Sequence, residues 1–77
     1  MGYPELSRGD RGTDVERLQT LLNRVGAMLE ADGIFGGGCQ RGVIYAQALA
    51  QQPQTGVVSE ALWHWLEVQP EPSMLLH

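Results

Sequence analysis

Apolar positions recur at helical spacing in three stretches of the chain. In the first, Val15, Leu18, Leu22 and Val25 form one narrow stripe, with Leu21 and Gln19 at its margins. A turn, Gly9-Asp10-Arg11-Gly12, precedes it, Thr13 and Glu16 have the spacing of a capping box, and Gly26 stands where a helix stops. The pattern predicts a helix over 13–25 and puts the Gln19 amide where it can bond a loop backbone. A second helix is predicted from Cys39 to Gln51, ahead of Pro53. Its stripe is Cys39, Val43, Ala46 and Ala50, with Gly42 and Leu49 beside it. Gly42 costs about 1 kcal/mol relative to alanine in a helix interior, which predicts a close helix crossing there. Ile44, Tyr45 and Ala48 project the other way, so the helix is apolar nearly all round and must be central or covered. The third helix is expected from a Ser59 cap to about Val68, ended by Pro70 and Pro72. Leu62 and Leu66 mark its inner face, Trp63 and Trp65 flank that face, and His64 and Glu67 point outward.

Between the first two helices, residues 32–38 read Asp-Gly-Ile-Phe-Gly-Gly-Gly. So many glycines imply positive φ angles or close backbone approach. No Gly-Lys-Ser/Thr follows and the GxGxxG frame is missing, so a phosphate cradle is a poor fit. A tight loop feeding a helix fits better, with Ile34 and Phe35 pinned into the core. Thr55-Gly56-Val57-Val58-Ser59 repeats the unit ahead of the third helix. The expected fold is therefore all-α, a small three-helix bundle with two Asp-Gly-type loop–helix units. At 77 residues one domain is expected over 1–77, with its core at about 6–68 and a tail at 69–77.

Charge narrows the function. Nine carboxylates face five arginines and no lysine, for a net charge of −4, and no cation follows Arg41. Nucleic acid and anionic membranes are poor partners for such a chain. A single cysteine, Cys39, excludes an intrachain disulfide, and with His64 and His77 it shows no metal-ligand spacing. No metal, no cofactor and no catalytic residue is expected: there is no carboxylate pair and no nucleophile–base couple, and His64 reads as a surface histidine. The chain carries no signal-peptide pattern, and Leu6 stands where myristoylation after Met1-Gly2 wants Ser or Thr.

Leu6, Gly9, Gly12, Val15, Leu18, Gln19 and Leu22 match the opening pattern of a known family. Asp32, Gly33, Phe35, Gly36, Val43 and Gln47 match its second motif, and Gly56, Trp63 and Leu66 echo its third. On these residues the chain resembles the three-helix peptidoglycan-binding domain found at the ends of cell-wall amidases, lysozymes and endolysins. The second half departs from the pattern. Gly37 replaces Pro, Cys39 replaces Thr, Gly42 replaces Ala and Ala46 replaces a large aromatic. Thr55, Ser59 and Leu62 replace Asp, Gly and Thr. Trp65, outside the pattern, is a candidate to fill the volume lost at Ala46.

The resemblance implies a noncatalytic module that binds peptidoglycan, through its glycan or its stem peptide, and targets an associated hydrolase or assembly to the wall. It implies a place in the periplasm, cell wall or extracellular space. The ligand-binding positions it carries over are Asp32, Gly33, Phe35 and Gly36, with Trp63 as a stacking surface and Arg11 as partner for a stem-peptide carboxylate. Each has a plainer role: Asp32 tying down its own loop, Phe35 in the core, Arg11 solvated. The alternative function is an adaptor on the same fold that has lost glycan binding and docks protein partners, in a secretion or phage-like assembly. Its surface would be Ile44, Tyr45, Ala48 and Trp65.

Overall fold

The computed structural model describes residues 3–69. Met1-Gly2, Pro70, Pro72 and the Met74–His77 end of the expected tail lie outside the described residues. Three helices follow in order, α1 (Thr13–Arg24), α2 (Gly37–Leu49) and α3 (Glu60–Glu67), with no strand among the described residues. This is the expected all-α bundle, and α1 packs against both other helices. Two isolated antiparallel bridges tie the segment ahead of α1 to the two loops: Arg11 pairs with Ile34, and Leu6 with Val58. Each loop–helix unit is thereby pinned to the N-terminal segment by backbone hydrogen bonds. Around the first bridge, Gly9 N–H donates to the Phe35 carbonyl, Phe35 N–H to Asp10 and Gly12 N–H to Gly33, each at 2.9 Å.

Helix ends differ from the sequence pattern by one or two residues. The capping box does not form. Gly12, not Thr13, is the N-cap of α1, its φ of 132° suits glycine, and no side chain caps the helix. Its carbonyl accepts the Glu16 N–H, which makes Thr13 the first helical residue. Helix α2 starts at Gly37 rather than Cys39, because Gln40 N–H already donates to Gly36. It ends at Leu49 rather than Gln51. Ser59 does sit at the N-cap of α3, though its hydroxyl caps nothing.

Both α1 and α2 close with a Schellman motif. At α1, Gly26 (φ 101°) bonds back to Asn23 and Ala27 to Leu22. At α2, Gln51 bonds to Ala48 and Gln52 to Gln47, but the left-handed position is held by Gln51 at φ 58°. The second stop is the first without its glycine.

The core joins Val15, Leu18, Leu21 and Leu22 of α1 to Cys39, Val43 and Ala46 of α2 and Leu62, Trp63 and Leu66 of α3, closed by Leu6, Phe35 and Val58. The stripes read from the sequence are these buried faces, except that Leu49 is half exposed and Val25 and Ala50 are only partly covered. Gly42 is tight for another reason than expected. A Cβ there would lie 2.9 Å from Leu29 Cδ1 and 3.5 Å from Ala27 Cβ, so a loop, not a crossing helix, approaches it. Trp65 packs partly buried against the core. Glu67 does not point into solvent: it accepts hydrogen bonds from the Tyr3 hydroxyl and the Arg17 guanidinium.

Candidate functional site

The Asp32–Gly36 loop is organised by one side chain of α1. Gln19 is buried, and its amide does three things. Its Oε1 accepts the Gly33 N–H at 2.9 Å, and its Nε2 donates to the Ile34 carbonyl at 3.0 Å and to Asp32 Oδ1 at 3.1 Å. Asp32 Oδ1 also accepts the Ile34 N–H at 3.0 Å, closing a turn on its own backbone. These donors hold the Asp32 carboxyl below its ordinary pKa, the Ile34 amide contributing most and Gln19 next. One turn of helix further on, Asn23 pairs with the backbone of Leu29 through both amide atoms, Nδ2 to O at 2.8 Å and N–H to Oδ1 at 2.5 Å. The loop from Leu29 to Ile34 is therefore sewn to α1 by two side-chain amides.

The same device recurs on α2. Gln47, also buried, accepts the Gly56 N–H at 3.0 Å and donates to the Val57 carbonyl at 3.0 Å and to Thr55 Oγ1 at 3.2 Å. Thr55 Oγ1 accepts the Val57 N–H at 3.1 Å, as Asp32 does for Ile34. Gly33 and Gly56 share φ 77°. The echo between the two loops is thus structural, with a hydroxyl where the first unit has a carboxylate.

Gln19 was visible in the sequence as a polar residue at the stripe's edge. Asn23 and the clamp role of Gln47 were not. The available signal was their register: each glutamine lies on the buried side of its helix ahead of an x-Gly-x turn.

The structure sorts the candidate site residues into two groups. Asp32 is exposed at the loop, Gly36 is partly covered and Gly33 is buried beneath them. Arg11 is exposed and bridges Ile34 through its backbone, so it shares this edge. A shallow groove of about 220 Å³ runs along the loop between Gln19, Glu30, Asp32, Ile34, Gly36 and Gly38. It shares Leu29, Glu30 and Gly38 with a second one of about 460 Å³, which reaches Arg41 and Tyr45 on α2.

Phe35 and Trp63 do not belong to this surface. Phe35 is 1% exposed, whereas Ile34, expected in the core beside it, is 50% exposed. Neighbouring side chains on extended backbone point to opposite sides, so only one of the two can enter the core. Trp63 is 1% exposed and cannot stack on a ligand. Tyr3 stacks on it at 5.8 Å, the Arg17 guanidinium lies 5.8 Å from its ring centroid, and its Nε1 donates to the Pro4 carbonyl at 2.8 Å.

On the far side of α2, Tyr45 and Ala48 are exposed as expected, while Ile44 is partly buried, as is Trp65 on α3. The Tyr45 hydroxyl donates to the Val25 carbonyl at 2.9 Å, latching α2 onto the end of α1. Cys39 is buried, and burial pushes its thiol up to about 11, which removes it from nucleophilic chemistry. Among the described residues no group of three His, Cys, Asp or Glu side chains could hold a metal ion. No helix there is long and apolar enough to cross a membrane.

The three-helix fold matches known proteins. Residues 11–66 fit the family model described as Putative peptidoglycan binding domain. The chain belongs to that family. Its fold is close to the Burkholderia AP3 phage endolysin, with 34% identity over 91% of this chain and a TM-score of 0.83. A fused zinc-dependent amidase/peptidase and peptidoglycan-binding-domain protein from Clostridium acetobutylicum superposes with a TM-score of 0.84, at 28% identity over 91% of the chain. The chain spans only 27% and 32% of those two proteins. It spans 93% of the SleB N-terminal domain, which it matches at 26% identity over 87% of its own length with a TM-score of 0.81. No curated protein matches the chain significantly.

Proposed function

We propose that the chain is a noncatalytic wall-binding module that holds an associated hydrolase or assembly near its peptidoglycan substrate. The observation that carries this reading is the Gln19-clamped Asp32–Gly36 loop, intact within a domain of the peptidoglycan-binding family and edging an open groove. Two of the structural relatives are an endolysin and a fused amidase/peptidase, proteins in which such a domain accompanies a larger chain. Binding to a polymer raises the local concentration of whatever the module is attached to, without any new contact at the catalytic centre. The periplasm, cell wall or extracellular space is the setting this activity requires.

The ligand surface is the exposed rim of the loop: Asp32, Ile34, Gly36 and the neighbouring Arg11. Asp32 retains acceptor capacity beyond the two hydrogen bonds it makes within the loop, enough for a sugar hydroxyl or a peptide amide. Ile34 offers the apolar contact that Trp63 cannot. Phe35 and Trp63 act indirectly, by fixing the scaffold.

Cosedimentation with purified sacculi tests the proposal. Retention of the chain, and its loss in Ile34→Glu with the helical spectrum unchanged, is expected. Absence of retention at low and moderate salt would sink the wall-binding reading. It would favour the adaptor alternative, which draws on the exposed Tyr45, Ala48 and Leu49 of α2.

A further inference from the structure

Arg8 and Arg41 come together over the glycine run that opens α2. At Gly37, a Cβ would lie 3.7 Å from Arg41 Nη1 and 3.9 Å from Arg8 Nη2; at Gly38 it would lie 3.9 Å from Arg41 Nη2. Neither guanidinium has an ion-pair partner among the described residues, in contrast to Arg17, which is held by Glu67. That is unexpected in a chain with nine carboxylates and five cations. Helix α2 has no acidic residue in its first turn and no side-chain cap, so no carboxylate of the helix itself competes for the pair, and Glu30, which lines the same groove as Arg41, makes no ion pair with it. Two like charges that approach the same point repel, and an anion between them relieves the repulsion. Gly36, Gly37 and Gly38 put no side chain of their own under the two guanidiniums, and Arg41 lines the groove that adjoins the Asp32 loop.

We propose that Arg8 and Arg41 form a clamp for a carboxylate of the peptidoglycan stem peptide, at the α2 end of the loop groove. This rests on the wall-binding reading above. Planar guanidinium forks match a carboxylate through paired, charge-assisted hydrogen bonds. The sugars of peptidoglycan carry no anion apart from the peptide attached to them, so the clamp assigns the peptide to this end of the groove. It leaves the Asp32 rim for the neutral part of the ligand. The pair also supplies a short-range cationic contact that the net charge of −4 conceals.

Calorimetric titration of the folded chain with a soluble disaccharide-peptide tests the clamp, using the peptide with free carboxylates and the same compound fully amidated. The wild-type chain should bind the free form about tenfold or more tightly than the amidated one. The double variant Arg8→Gln, Arg41→Gln should lose that preference while binding the amidated form as the wild type does. Equal wild-type affinity for both forms, or an undiminished preference in the double variant, overturns the clamp and leaves the wall-binding reading standing. Binding to neither form, together with no retention on sacculi, overturns both. Stronger binding of glycerol phosphate polymer than of the free peptide, lost in the double variant, reassigns the pair to phosphate and overturns the carboxylate proposal.

Discussion

Gln19 holds the candidate site together from beneath its loop. Its amide meets two backbone groups and one carboxylate oxygen, so truncation leaves the buried Gly33 N–H without that partner and takes from the Ile34 carbonyl one of its two donors, the Gly36 N–H remaining. Gln19→Ala should cost about 1–3 kcal/mol, read as a lowered urea midpoint, since one orphaned buried polar group costs about that much. Gln19→Glu should also destabilise at neutral pH. It can accept from Gly33 but no longer donates, and it sets a second carboxylate against Asp32. Asp32 makes its own pH signature. Its folded pKa is lowered by the Ile34 and Gln19 donors, so its contribution to stability is full above about pH 5 and is lost as the pH falls below about 4, through the lowered value. Urea titrations from pH 7 to pH 3 should show that loss, and Asp32→Asn should flatten this part of the profile. A variant profile as steep as the wild type's would remove Asp32 from the account.

Helix ends are where the two loop–helix units diverge. The α1 stop has glycine at its left-handed position and the α2 stop has Gln51, at φ 58°. A left-handed residue with a Cβ costs about 1–2 kcal/mol, partly offset by the greater unfolded-state freedom of glycine. Gln51→Gly should therefore stabilise the fold by about 0.5–1 kcal/mol, measured as a raised melting temperature. Gly33→Ala should do the opposite. At φ 77° an added Cβ would be strained and would stand 3.1 Å from the Gly12 carbonyl oxygen, which cannot move without disturbing the start of α1. A loss of at least about 1–2 kcal/mol is expected. Equal stability in that variant would mean that the Gly12–Gly33 contact is looser than described.

Across the whole molecule, what could be read from the sequence depended on how far apart the partners lie. Helical stripes are local, so α1, α2 and α3 and most of their buried faces followed from spacing alone. Gln19 and Asp32 were readable because each meets the backbone of a loop close by. Trp63 was not, because Tyr3, Pro4 and Arg17, which cover it, come from the opposite end of the chain. The choice between Ile34 and Phe35 also needed the fold: both are apolar, and only the bridge at Arg11 decides which turns outward. Gly42 signalled a close approach correctly but not the element that makes it, since Leu29 reaches it from a loop held by Asn23.

Peptidoglycan binding along the clamped Asp32–Gly36 loop, as proposed, would leave its mark on the backbone amides of that loop. Amide chemical-shift mapping with a soluble peptidoglycan fragment tests it most directly. Saturable shifts should cluster at Glu30, Asp32 to Gly38 and the Gln19 side-chain amide, leaving Thr55 to Ser59 and α3 unmoved. Shifts confined to that second loop and α3, or no shifts at saturating fragment, would contradict it.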